Sequence, residues 1–161
     1  MEIKIINLKK PDEDVNIIVG QTHFIKSAED IYEAIITSVP GAKFGIAFNE
    51  ASGKRLIRFE GNDNELIKYA IENAKNVGAG HFFIIMLKNA YPINILNRLK
   101  ETQEILNIFA ATSNPLKVII AIENDSIGVL GVMDGQVPVG VEKDEDKKDR
   151  KEFLRKIGYK L

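Results

Sequence analysis

The sequence predicts an α/β fold, a single-domain mixed β-sheet covered by helices. Apolar runs of strand length recur along the chain, amphipathic segments at helical spacing lie between them, and Gly or Pro closes several of those segments. At 161 residues and 45% hydrophobic content the chain can bury one sizeable core, and no repeat or low-complexity linker divides residues 1–161.

In order, MEIKIINL and VNIIVG read as strands, and a helix is expected from about Ser27 to Val39. Ser27 with Asp30 three residues on resembles a capping box, Ala28, Ile31, Ile35 and Val39 recur at helical spacing, and Pro40-Gly41 stops the run. KFGIAFNEASGKRLIRFE reads as two strands joined at Ala51-Ser52-Gly53. A second helix is predicted from Asn62 as N-cap, with Glu65 at its third position, through Leu66, Ala70, Ala74 and Val77 to Gly78. HFFIIML has no polar face from Phe82 to Leu87, which predicts a strand buried on both sides. A third helix is expected over Ile93 to Ala110. LKVIIAIE and SIGVLGVMDG then form strands around a turn at Asn124-Asp125, and EKDEDKKDRKEFLRK leads into a charged terminal helix.

Composition narrows the function classes. The net charge is −1 with no basic stripe, which argues against nucleic acid as partner. The chain has no cysteine for disulfides or zinc thiolates, and MEIKIINLKK lacks the uninterrupted apolar stretch of a signal peptide. The longest apolar run is far short of the roughly 20 residues that cross a bilayer. A cytoplasmic protein without membrane contact is expected.

Chemistry is sought where strands hand over to helices or loops. GQTHFIKS, Gly20 to Ser27, approaches the phosphate-binding pattern G-x-x-x-x-G-K-[ST], but Ile25 stands where the second glycine must let backbone amides wrap a phosphate. What remains is an anion site made of the helix N-terminus at Ser27 and the charge of Lys26. His23 lies just upstream; its plain reading is a loop histidine bonded to the backbone, its functional one a nucleophile or base. VGAGHFF offers Gly80 for close approach and His81 at a strand mouth, although Gly78-Ala79-Gly80 also reads as a helix stop and tight turn. NEASGKR carries Glu50, Ser52, Lys54 and Arg55 at a hairpin. ATSNP, expected to end the third helix, and the Asp134-Gly135 turn complete the candidate junctions.

The segments GQTHFIKSAEDIYEAI, SVPGAKFGIAFNEASGKRL, NVGAGHFFIIMLK, FAATSNPLKVI and GVLGVMDG together resemble the adenosine-specific kinase family, over nearly the whole chain. That resemblance implies a small intracellular α/β protein that binds adenosine or AMP and assembles as a homo-oligomer, a trimer. It implies catalytic roles for His23, as a phosphoryl carrier, and for Glu50, as a general base or ribose ligand. Gly20, Lys26, Ser27, Ser52, Lys54, Gly80 and His81 become ligand-binding candidates, and Asp134 the partner of an Mg²⁺ ion entering with a nucleotide phosphoryl donor. No dedicated metal site is expected. A phosphotransferase, a non-catalytic adenosine or AMP sensor, and a structural oligomer remain as alternatives, because the sequence contains no intact Walker loop and no protein-kinase motif set.

Overall fold

In the computed structural model, which describes residues 1–161, eight strands and four α-helices alternate. They are β1 (Glu2–Asn7), β2 (Asn16–Gln21), α1 (Ser27–Ser38), β3 (Lys43–Asn49), β4 (Ile57–Gly61), α2 (Asn64–Val77) and β5 (Phe82–Lys88). After a 3₁₀ turn at Pro92–Asn94 come α3 (Leu96–Lys100), β6 (Asn107–Thr112), β7 (Leu116–Glu123), β8 (Ser126–Asp134) and α4 (Asp144–Lys156). The α/β class stands as read. The expected single sheet resolves into two, a five-stranded one in the order β4-β3-β5-β2-β6 and a three-stranded one in the order β1-β7-β8. Every pairing is antiparallel.

Strand β5 lies at the centre of the large sheet and explains the layering. Phe83, Ile85 and Leu87 point to one side, where they join Phe44, Ile46 and Phe48 beneath Ile31, Ala34 and Ile35 of α1 and Leu99 of α3. Phe82, Ile84 and Met86 point to the other, against Leu66, Ala70, Ala74 and Val77 of α2 and Val118 and Ile120 of the small sheet. Period-two alternation serves both cores at once, so the strand has no polar position between Phe82 and Leu87. Each of these large side chains stabilises the fold by about 1.5–3 kcal/mol on burial. Gly45 of β3 lets α2 come close, since a Cβ there would stand 2.2 Å from the Ile67 amide nitrogen.

Three expectations are corrected. The second helix is capped by Asp63, whose carboxylate accepts from the Leu66 amide at 3.0 Å, and not by Asn62. The Asn62 side chain instead clamps the strand before it, accepting from Phe44 N–H and donating to the Ala42 carbonyl. At the first helix Ser27 is no cap: it is buried, and its hydroxyl donates back to the Phe24 carbonyl. The third helix is much shorter than Ile93 to Ala110. Residues 107–110 belong to β6, because the open edge of β2 needs backbone partners and NIFAAT supplies them, with Val19 opposite Ala110 and Ile18 opposite Ala111. ATSNP therefore ends a strand.

Candidate functional site

The polar junctions meet at one end of the large sheet, where β2 and β3 finish and β5 and β6 begin. The His81 amide donates to the Asn49 carbonyl at 2.8 Å, the Thr22 amide donates to the His81 carbonyl at 2.9 Å, and the Leu106 amide donates to the Gln21 carbonyl at 2.9 Å. These three bonds hold NEASGK, GAGH and GQTH side by side beyond the last ladder pairs, and bring the two histidine segments together. His81 has φ of 61°, a left-handed conformation that costs of order 1–3 kcal/mol in a side-chain-bearing residue. The surroundings impose it: its backbone is bonded on both sides, and its ring stacks on the buried Phe48 with centroids 5.9 Å apart and planes 7° from parallel. His23 is exposed, beside the half-exposed ring of Phe24.

On the α2 side of this sheet end lies an open cavity of about 750 Å³, between the β3–β4 loop, the last turn of α2 and the β7–β8 turn. Of the residues expected at a site, it brings together Glu50, Lys54, Arg55 and Gly80, and it adds Lys75 and Asp125. Gly80 is required by close approach, because a Cβ there would stand 2.9 Å from the Ala51 side chain. Asn49 fixes the floor, donating to the carbonyls of Ala74 and Ala79 at 2.9 and 3.0 Å. Glu50 is pinned: one carboxylate oxygen accepts the Leu56 amide at 2.8 Å and the other accepts Arg58 at 2.9 Å. The Leu56 amide first, and then the Arg58 guanidinium, hold its carboxyl below the usual glutamate range.

Lys26 faces elsewhere. Its ammonium is bonded to Asp30 and lies 3.0 Å from Glu104, a carboxylate that is 1% exposed. The Glu104 contact is an ion pair without the directed geometry of a hydrogen bond, and neither Glu104 oxygen has a hydrogen-bonding partner. The Asp30 carboxylate first, and then that of Glu104, raise the Lys26 pKa. The amides of Ser27, Ala28 and Asp30 are donated to the carbonyls of Phe24, Ile25 and Lys26. GQTHFIKS is thus a corner whose cation and most of whose early helix amides are already partnered.

Other expected residues are placed apart from the cavity. Ser52 is at the exposed hairpin tip, where its carbonyl accepts the Arg55 amide. Gly20 is buried within the sheet against Phe83 and β6. Asp134 ends β8 opposite Leu116, at the far end of the small sheet from Asp125, and accepts from the Asn114 side chain. It does not fit the expected role of receiving an Mg²⁺ ion with a nucleotide at this cavity, and no cluster of three His, Cys, Asp or Glu occurs elsewhere. The sequence reading missed Lys75, Arg58, Asp125 and Glu104 as site neighbours. Asp125 had a local signal, at the Asn124-Asp125 turn; Lys75 and Glu104 look in sequence like ordinary solvated charges.

The fold and this site define a class: a small two-sheet α/β protein with a cation-lined polar cavity at one sheet end. The chain belongs to the adenosine specific kinase family, whose match runs over residues 6–160. It is similar to a solved structure described as the crystal structure of PH1918 protein from Pyrococcus horikoshii OT3, at 46% identity and a TM-score of 0.95, over 99% of this chain and 98% of that one. No curated protein matches. No helix is long and apolar enough to cross a membrane.

Proposed function

We propose that the chain binds adenosine or AMP at this sheet end and transfers a phosphoryl group to adenosine, working as a homo-oligomer, a trimer. One observation carries the reading: two histidine segments are bonded to each other beside a cavity whose cations Lys54, Arg55 and Lys75 have no ion-pair partner. A cavity of this size suits a nucleoside monophosphate. The partial negative charge at the C-terminus of α2 favours the adenine amine and ribose hydroxyls there, while phosphate oxygens suit the hairpin cations.

In the transfer, an imidazole nitrogen of His23 attacks the terminal phosphorus of a nucleotide donor; the P–N bond forms as the bridging P–O bond breaks and its electrons leave with the nucleoside diphosphate. The adenosine 5′-hydroxyl then attacks the phosphoryl group, the P–N bond breaks, and the hydroxyl proton passes to a base at the sheet end. The pinning of Glu50 by Leu56 and Arg58 favours a second reading, in which the protein is an adenosine or AMP sensor without chemistry. Calorimetry tests binding. Adenosine and AMP are expected to bind at least tenfold more tightly than guanosine and GMP, and equal or absent heats for all four would overturn both readings.

A further inference from the structure

Two unpartnered apolar features of this chain fit each other, but not within one copy. The first is the C-terminal segment. Val137, Val139 and Val141 alternate along an irregular stretch and are 82%, 104% and 91% exposed, and the backbone of residues 136–141 makes no hydrogen bond to the rest of the chain. Helix α4 follows with no buried residue, and with Phe153, Ile157 and Tyr159 open to solvent. A polar helix of 13 residues is marginal in water by itself, since isolated helices below about 12–15 residues scarcely form even when rich in alanine. Exposed pairs such as Asp144–Lys147 and Lys148–Glu152 add little. A helix of this kind draws its stability from something packed on its apolar edge.

The second feature is the outer face of the small sheet. Its inner face packs Ile6, Ile122, Ile127, Val129 and Val132 against the core. Alternation therefore turns Ile3, Ile5, Leu130 and Met133 outward, where all four are exposed. Ile119 lies opposite Ile5 and adds to the same face. Gly128 and Gly131 meet nothing where a side chain would project, which leaves a shallow channel that a neighbouring backbone can enter. A contiguous apolar sheet face of this kind marks an interaction surface.

We propose that this outer face seats the segment Gln136–Leu161 of a second copy of the chain, with Val137, Val139 and Val141 lying across the sheet and the apolar edge of α4 beside them. Each copy carries one arm and one face, so the contact is heterologous and closes as a small ring. A standard interface takes about 20–30 residues a side, and Gln136–Leu161 falls in that range. The proposal shares with the functional reading only the premise that copies assemble. A failed adenosine titration leaves it standing, and monomeric protein leaves adenosine binding open.

The test is the solution mass of the full chain by light scattering after gel filtration, for the natural sequence, Val139→Asp, Leu130→Asp and an equimolar mixture of the two variants. The natural chain is expected to run as a small closed multiple. Each variant is expected to associate at least a hundredfold more weakly, and the mixture to recover two-copy species, because it again offers one sound arm and one sound face. Both positions are exposed, and far-ultraviolet circular dichroism confirms folding; Val139→Ser and Leu130→Ser replace any variant that unfolds. A single-chain mass for the natural protein, or an unchanged mass in either variant, overturns the proposal.

Discussion

Gly20→Ala separates a packing role from a ligand-binding one. Gly20 lies at a register shift between β2 and β6, and a Cβ there would stand 2.4 Å from the Asn107 carbonyl oxygen and 2.6 Å from a ring carbon of Phe83. The ring can turn, but the carbonyl belongs to the paired strand and moves only with it. Overpacking of this kind costs about 1–3 kcal/mol, and a site with one rigid neighbour belongs in the upper part of that range. Replacing glycine within a strand returns about 0.5–1 kcal/mol. The net loss is about 2 kcal/mol, or roughly 4–8 °C in Tm for a chain of this length. Thermal unfolding with Gly41→Ala as control, where a Cβ meets nothing within 4 Å, reads the difference directly. An unchanged Tm with lost adenosine binding would refute the packing account and make Gly20 a ligand contact.

Other outcomes follow from the same geometry. His23→Ala and His23→Asn are expected to keep adenosine affinity within about threefold and to lower phosphoryl transfer by roughly 10³-fold or more, measured with labelled donor; full transfer in either variant eliminates the His23 phosphoryl carrier. Glu50→Gln is expected to lower Tm by a few degrees near neutral pH, through loss of the charged acceptor for Leu56 and Arg58. Because the Glu50 pKa is depressed in the folded chain, its contribution is present above the ordinary value of 4.5 and is lost as pH falls through the lowered one. The Tm gap between natural and variant protein should therefore close on acidification below about pH 4.5, and a gap that widens there would show the sign to be wrong.

What could be read from the sequence was local. Six apolar residues in a row required a strand covered on both sides, and β5 is that strand. Gly78 had to end α2, and it does so with φ of 67°. Asn62 and Asp63 are both good caps, so only the demand of Ala42 and Phe44 for a clamp decides between them. Ile93 to Ala110 contains helical spacing, but the free edge of β2 outweighs it for residues 107–110, and that edge lies far back in the chain. The partners of Lys26 were hidden in the same way: Asp30 is one turn away, whereas Glu104 arrives through the loop after α3. Local pattern locates junctions, and tertiary pairing decides which charges at them remain free.

That distinction bears on where a phosphate would sit. An anion approaching Lys26 must compete with two carboxylates already beside the ammonium, one of them buried where charge is poorly screened. Lys54, Arg55 and Lys75 border the cavity without ion-pair partners, and the single carboxylate firmly fixed there, Glu50, is held by Arg58. The electrostatic balance therefore favours phosphate between the β3–β4 hairpin and the end of α2, over the anion site expected at Lys26 and Ser27. Gly80 lines that cavity and is joined directly to His81, whereas the His23 segment is tied to it through the backbone bond from Thr22 to His81. If His23→Asn retains phosphoryl transfer, the nucleophile falls to His81, the other histidine of the bonded pair of segments, whose strained backbone and ring stacked on Phe48 already fix the imidazole.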